Sequence, residues 1–446
     1  MTTASSTASV PQASVAEPLT GNYFVAAYPP FSAWSSSQAA SIMAALEHLP
    51  AKEDIPWGVY FHLPFCEKRC DYCYYLSLSG TPRSEIALYA DQLAAESALY
   101  SSLPRFAGRG PRFVYFGGGT PSLLPADVLK LLLDRLVERL SWHGAEEITF
   151  ECSPKSTTAE KLAILHAAGV NRISLGVQQL DDEVLRLSGR IHLVSDVRRA
   201  VAEIKAFGFA EINVDLISGL RGQSDASFIE GVKRVIDLAP DCVTIYQLEV
   251  PANTPLSKAL ADEHVVAELA DWETKRERVS AALELLAQHG YSVRNAYSAA
   301  RGRRHNRFVY MEDQYRGADL IGLGLSSFSY VAGMHFQNTT NLREYREAIA
   351  RCQFPIVRGY HLGFEEQMVR ELVLQFKLGR VSRTYFQRKF DTDPVERFAF
   401  TLSELSAEGW IDWDDEYVRL TSSGLARVDR LLPAFYLKQH QASSYW

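Results

Sequence analysis

Between Trp57 and Gln247 the chain repeats one pattern six times, and that repetition leaves few folds open to it. Short β-rich runs ("WGVYFHL", "RFVYFG", "EITFEC", "RISLGV", "EINVDLI" and "CVTIYQL") are separated by stretches with helical spacing. In "PADVLKLLLDRLVERLSW", Val128, Leu129, Leu132, Leu133, Leu136 and Leu140 recur at three- and four-residue steps, the mark of one apolar helix face. Further helical stretches lie near 84–102, 158–168, 193–207 and 225–238. Strands alternating with helices imply parallel βα units with right-handed crossovers. The runs read as nearly continuous in apolar residues, as parallel strands buried on both faces should be. Six units close only part of a ring. The expected fold is therefore α/β, a partial (βα)6 TIM-like barrel.

The rest of the chain divides around this unit. Residues 1–20 carry no Lys or Arg, which a targeting peptide would need, so a disordered tail is expected there. Residues 21–55 read as an N-terminal extension, 56–290 as the barrel and 291–360 as an irregular segment covering the active site. Residues 361–446 read as a small winged-helix-like α+β unit. "FEEQMVRELVLQF" and "PVERFAFTLSELSAEG" supply its helices, and "WIDWDDEYVRLTSSGLARVDRLL" reads strand–turn–strand–helix. Such units bind DNA in regulators. This one is acidic, and the whole chain carries a net charge of −7, so no nucleic-acid partner is expected. No run approaches the roughly 18 apolar residues that span a membrane. Six cysteines, three clustered and three isolated at 152, 242 and 352, do not make a disulfide framework and suit the reducing cytoplasm. A cytoplasmic monomer acting on a small molecule is the expectation.

The cluster is "CEKRCDYC", which places Cys66, Cys70 and Cys73 in a CxxxCxxC spacing straight after the first strand. Buried cysteines can be plain small hydrophobes, but three in eight residues amid charged neighbours would be a coincidence. A structural zinc would need a fourth Cys or His at finger-like spacing, and only His62 is near, on a strand. An iron–sulfur cluster is the third reading. Full ligation of a four-iron cluster takes four thiolates, so three leave one iron open to a substrate or cofactor. Loops after barrel strands form the active face, which puts such a cluster at the barrel mouth.

"VYFHLPFCEKRCDYC", followed by "YFGGGTPSLL", "GVQQLDDEVLRLSGR" and "NVDLISGL", resembles the radical S-adenosylmethionine superfamily. More narrowly it resembles the oxygen-independent coproporphyrinogen III oxidase family, which includes decarboxylases, haem chaperones, and radical methylases and cyclopropanases. The resemblance runs from about 55 to 345 and more loosely to the C-terminus. It implies a [4Fe–4S] cluster on Cys66, Cys70 and Cys73, with the aromatic Tyr72 beside the third thiol. S-adenosylmethionine would chelate the open iron, and a flavodoxin or ferredoxin would donate the electron. One-electron cleavage would then give methionine and a 5'-deoxyadenosyl radical that takes a hydrogen from the substrate.

A chelating sulfonium cofactor presents an amine, a carboxylate, a ribose and an adenine. Gly118, Gly119 and Thr120, within "FGGGTP", would meet the methionine part through exposed backbone, because glycine permits close approach. Glu151, Gln178 and Asp215 stand at strand ends and would point into the mouth, suited to the ammonium and the ribose hydroxyls. Arg190 could grip the carboxylate, and backbone near Tyr246 and Gln247 could read the adenine edge. Tyr60, on the first strand, matches an aromatic near the methionine part. Phe61, Phe65 and Phe116 are expected to wall the mouth. "DLIGLGLSSFS", with Phe328, would border a second S-adenosylmethionine.

The members of the family diverge in a few places. A further Cys usual in the decarboxylase is Tyr75 here, and a Phe-Gln pair aligns with Val309-Tyr310. "RHNRFVY", with His305, Asn306 and Tyr310, resembles a haem-chaperone segment but lacks its Trp. On these departures the first expectation is C-methylation or cyclopropanation of a small unsaturated metabolite, using two S-adenosylmethionine molecules. Porphyrinogen decarboxylation follows closely, and haem handling is the third possibility.

Overall fold

The computed structural model describes residues 17–21, 23–302 and 307–445. Its core is one twelve-stranded sheet. Six strands are those of the repeat: β1 (Trp57–Leu63), β2 (Phe113–Gly118), β3 (Glu147–Cys152), β4 (Arg172–Gln178), β5 (Glu211–Ser218) and β6 (Cys242–Gln247). Six more follow: β7 (Tyr291–Val293), β8 (Ser298–Arg301), β9 (Asp319–Leu323), β10 (Phe328–Val331), β11 (Met334–Asn338) and β12 (Ile356–His361). Their order is β12-β11-β10-β9-β1-β2-β3-β4-β5-β6-β8-β7. The stretch β9-β1-β2-β3-β4-β5-β6 is parallel throughout, and the remaining pairs are antiparallel.

The segment 291–360, expected as a cover, also adds strands to the sheet. It extends the sheet at both edges, because the backbone of β1 and β6 needs partners that six strands arranged in order do not provide. The expected tail 1–20 lies outside the described residues up to 16. Residues 17–20 instead pack on the body, with Glu17 ion-paired to Arg276 and Thr20 bridged to Val250.

The inner strands also differ from the expected unbroken apolar runs. They alternate. Val59, Phe61, Val114, Phe116, Ile148, Phe150, Ile173, Leu175, Val214 and Val243 are buried beneath the helices in one large cluster. These helices are α1 (Arg83–Ser101), α2 (Ala126–Leu140), α3 (Ala159–Ala167), α4 (Val194–Phe207), α5 (Asp225–Leu238) and α6 (Trp272–Gln288). The other face carries Tyr60, Tyr115, Thr149, Glu151, Arg172, Ser174, Asn213, Asp215 and Thr244. Successive strand side chains point to opposite faces, so an apolar outer face leaves every second position free for chemistry.

From 364 a separate apolar cluster begins. Helix α7 (Phe364–Phe376) leads into strand Arg380–Ser382, three further helical stretches, and strands Ile411–Trp413 and Tyr417–Leu420. The three strands form one small antiparallel sheet. Helical turns Ser422–Leu425 and Val428–Leu431 then bring the chain back to the barrel mouth.

Candidate active site

The three clustered thiols sit on a loop that is short on regular structure and rich in anchors. Cys66 ends a two-residue strand, Phe65–Cys66, paired in parallel with Leu78–Ser79. The Cys73 amide donates to the Cys70 carbonyl at 3.1 Å, closing a turn between these two thiols. Arg69 folds over that turn, donating from Nε (3.0 Å) and Nη2 (2.8 Å) to the Cys73 carbonyl. Asp71 ties the loop outward, its amide to the Ser188 carbonyl (3.3 Å) and its own carbonyl to the Leu256 amide (2.8 Å). The loop after β1 is thus clamped by the loops after β4 and β6.

Two side chains aim donors at the sulfurs. Thr120 Oγ1 lies 3.6 Å from Cys66 Sγ, and Arg190 Nη1 lies 3.4 Å from Cys70 Sγ. The second Arg190 nitrogen donates to the Gly176 carbonyl at 2.6 Å, while its Nε is buried without a partner. Tyr72 Oη is likewise buried and unpartnered. Burial pushes the Cys66 thiol up and the Cys73 thiol up to about 11.

The glycines beside this loop are there for space. A Cβ on Gly118, whose φ is +110°, would lie 2.7 Å from the His62 ring. A Cβ on Gly119 would lie 2.7 Å from the Phe65 carbonyl oxygen. The Gly119 and Thr120 amides donate to Leu63 and Phe65 carbonyls at 2.8 Å, pressing the turn after β2 onto the thiol loop. His62 itself is buried and bonded to Tyr60 Oη (3.2 Å). Burial lowers its pKa to about 4, so it is neutral at pH 7.

Opposite stands a polar ring. Glu151 Oε1 accepts from Tyr115 Oη at 2.7 Å, and burial raises its pKa to about 7. Asp215 accepts from Asn213 Nδ2 (2.8 Å) and Ser174 Oγ (3.0 Å), and burial raises its pKa too. Gln178 adopts φ 67° at an irregularity in the β4–β5 register. A left-handed backbone is uncommon for a residue other than glycine, and here it goes with a side chain on the cavity wall.

The thiols, the glycine turn and the polar ring open on a cavity of about 400 Å³. Twelve of the sequence-expected residues line it: Cys66, Cys70, Cys73, Tyr72, Gly118, Gly119, Thr120, Glu151, Gln178, Arg190, Asp215 and Tyr246. Two do not. Tyr60 lies beneath the lining, stacked on Tyr115 at 5.9 Å. Phe328 stacks on Phe31 at 4.5 Å, outside the cavity. The turn before it is held by Glu96, which accepts from the Gly324 amide and Asn338 Nδ2, so "DLIGLGLSSFS" packs into the body and not against the site. Phe61 and Phe116 differ from expectation in the same way. They point to the helix layer, where Trp142 meets both rings, because they occupy the outward positions of their strands. Phe65 is buried against Tyr89. His305 and Asn306 lie outside the described residues.

Sequence reasoning missed the far half of the lining. Tyr23 and Phe24 from the N-terminal arm, Trp272 and Arg276 from α6, Tyr297, and residues 425–430 close the cavity above the barrel. Val25 and Lys377 bind the arm and the C-terminal unit together: Asp429 accepts from the Val25 amide (2.8 Å) and pairs with Lys377 (2.9 Å). Gln247 donates to the Ala426 carbonyl at 2.8 Å. These segments come from opposite ends of the chain, and no local spacing signals that they meet. Tyr246 and Gln247 were expected here only through their backbone, at the end of the sixth strand.

The residues fit an iron–sulfur cluster with a chelating cofactor. Among the described residues no three Cys, His, Asp or Glu side chains converge as ligands of one ion. A four-iron cube takes each thiolate at a different iron, so its ligands surround a volume instead of a point. Three thiols with sulfur-directed donors, a cradle without Cβ atoms, and unpartnered Arg190 Nε and Tyr72 Oη are what such a group would occupy. Binding would strip the protons that burial holds on the thiols.

Comparison with known proteins gives the same answer. The Radical SAM superfamily profile matches residues 60–235. The chain is 28% identical over 384 residues to the haem chaperone HemW of Bacillus subtilis, covering 85% of this chain and 98% of that one. It is 27% identical over 416 residues to the oxygen-independent coproporphyrinogen III oxidase of Escherichia coli, covering 89% of each. The solved structure of the Escherichia coli coproporphyrinogen III oxidase HemN superposes with a TM-score of 0.79 at 25% identity, over 92% of this chain and 96% of that one. Proteins of this superfamily use a [4Fe–4S] cluster and S-adenosylmethionine. The chain thus carries a radical S-adenosylmethionine domain over residues 60–235 and is similar, over most of its length, to the oxygen-independent coproporphyrinogen III oxidases and the HemW haem chaperones.

Proposed function

We propose that this protein is a radical S-adenosylmethionine oxidoreductase that removes a carboxylate, as carbon dioxide, from a porphyrinogen-type substrate. The observation that carries this reading is the one cavity onto which all these groups face. Three thiols, the glycine cradle and the polar ring lie at one end, and a roof with three arginines, Arg276, Arg427 and Arg430, lies at the other. The likeness to the Escherichia coli oxidase over nearly the whole of both chains supports it.

The cluster with S-adenosylmethionine supplies, when bound, the one-electron cleavage that makes hydrogen abstraction possible. This chain's residues supply the surroundings. Thr120 and Arg190 donate to Cys66 and Cys70 sulfurs, which stabilises the thiolate form. Glu151 and Asp215 offer carboxylate oxygens to an ammonium or to hydroxyls, and Tyr115 fixes which way Glu151 points. Tyr72, Tyr74, Tyr75, Tyr246, Tyr297 and Trp272 wall the space and exclude water.

The expected C-methylation or cyclopropanation is not supported. It rested on departures from the decarboxylase pattern at Tyr75, Val309-Tyr310 and Phe328, and Phe328 packs against Phe31, outside the cavity. The reported relatives are oxidases and haem chaperones. Haem handling is the second reading. Tyr75, which faces the cavity where the decarboxylase usually carries a further Cys, favours it, as does the match over 98% of the HemW chain.

One anaerobic assay of the reconstituted protein with coproporphyrinogen III, reductant and S-adenosylmethionine separates these readings. Carbon dioxide with 5'-deoxyadenosine is the expected result. S-adenosylhomocysteine beside 5'-deoxyadenosine would restore methyl transfer. Tight haem binding without either product would make the protein a chaperone.

A further inference from the structure

The roof of the cavity holds more positive charge than its own acids can match. Residues Arg276, Arg427 and Arg430 all line it. Glu17 answers two of them: Arg276 Nη1 and Nη2 reach its oxygens at 2.5 and 2.9 Å, and Arg430 Nε reaches it at 3.3 Å. The other two acids at this end are committed elsewhere. Asp429 is held by Lys377, the Val25 amide and Tyr297 Oη. Glu249 accepts from the Tyr23 amide at 2.8 Å, and burial raises its pKa to about 7.

That leaves Arg427. Among the described residues its guanidinium has no ion pair or side-chain hydrogen bond. Its one side-chain contact of note is the Trp410 ring, 5.3 Å away. Burial, and then the like charge of Arg276, pull its pKa down. Arg276 adds a buried Nε without a partner. Glu17 and Glu273 oppose the pull on Arg427 only through space. A guanidinium half-removed from water, beside a like charge, is stabilised by an anion that brings its own charge, and its planar fork fits a carboxylate in two parallel hydrogen bonds. Aromatic side chains Tyr23, Phe24, Trp272 and Tyr297 line the same end, suited to a flat or bulky apolar body attached to that carboxylate.

We propose that Arg427, flanked by Arg276 and Arg430, is a specificity-determining residue that binds one carboxylate of the substrate from the C-terminal unit. This rests on the porphyrinogen reading for the identity of the substrate, and deepens it by assigning the group that recognises a carboxylate. It also gives the C-terminal unit a task at the site, since residues 425–430 are that unit's whole contribution to the lining.

The test uses the full-length protein and two stable probes, coproporphyrin III with four free carboxylates and its tetramethyl ester, with binding read by fluorescence quenching. R427Q should weaken the tetra-acid at least tenfold and leave the ester nearly unchanged. R427K should recover most of the loss, and both variants should melt like the parent chain. Equal affinity of R427Q and parent for the tetra-acid would overturn the assignment, as would an equal loss for acid and ester. The porphyrinogen reading fails separately. If the parent makes no carbon dioxide from coproporphyrinogen III while R427Q still loses the tetra-acid selectively, that reading falls and the carboxylate subsite stands.

Discussion

The two faces of the barrel strands are built from the same stretches of chain and obey opposite rules. The outward face is a dry layer, in which Phe61, Phe116, Phe150 and Trp142 pack with the leucines of α2. The inward face at the same residues' neighbours is a polar, hydrogen-bonded surface: Tyr60 with His62, Tyr115 with Glu151, Asn213 with Ser174 and Asp215. The difference shows where stability and chemistry are kept apart. One face can be tuned for catalysis because the other holds the fold. A third kind of surface, the roof from Glu17, Tyr23, Phe24 and residues 425–430, belongs to neither face and is joined by ion pairs and backbone hydrogen bonds.

This separation can be broken in graded steps. The largest effect is expected on the inward side. Changing Cys66, Cys70 or Cys73 to Ala should reduce cluster iron and sulfide and take 5'-deoxyadenosine formation to background, with little change in the melting of the cluster-free protein. Iron analysis and chromatography of the product check this. On the outward side, Phe116→Ala should cost about 3–5 kcal/mol in denaturant unfolding, because a buried ring leaves a cavity. A smaller step returns to the site. Thr120→Val removes the donor 3.6 Å from Cys66 Sγ and should lower turnover by about tenfold while keeping the fold, as losses beside metal ligands do.

A pH titration sharpens the contrast further. Glu151 keeps its proton in the folded protein to about pH 7, while the unfolded chain releases it near 4.5. Raising pH through that window therefore favours the unfolded chain, and the cluster-free protein should lose stability between those values. Glu96, Glu147 and Glu249 are also raised to about 7 and act in the same direction. Glu151→Gln should flatten the fall without abolishing it, as melting temperature against pH will show. At the far end of the scale, Lys130→Ala breaks an exposed pair with Asp134 on α2 and should change stability by less than about 0.5 kcal/mol.

Much of the site was legible from spacing. Cys66, Cys70, Cys73 and the glycines lie within a few residues of strand ends, and Glu151, Gln178 and Asp215 each lie on an inner strand, so local rules suffice to bring them together. The readings that failed did so for a stated reason. Phe61 and Phe116 were expected at the mouth because they are aromatic and near it, yet strand alternation turns both away. Phe328 was assigned from a glycine pattern, and its partner Phe31 is almost three hundred residues distant. Tyr115 went unnoticed because an inward tyrosine between apolar neighbours looks like core until Glu151 is seen 2.7 Å from its hydroxyl.

By itself, then, the order of residues determined the parallel barrel, the thiol loop at its mouth and the ring of acids facing it. These follow from periodicities of two and three to four residues and from contacts close in sequence. Tertiary structure alone decided that the sheet runs on to twelve strands, and that the two ends of the chain meet over the cavity. It also left Arg427, among the described residues, without an ion pair there. Such outcomes depend on which distant surfaces find each other's unpaired backbone and charge, and no local pattern carries that information.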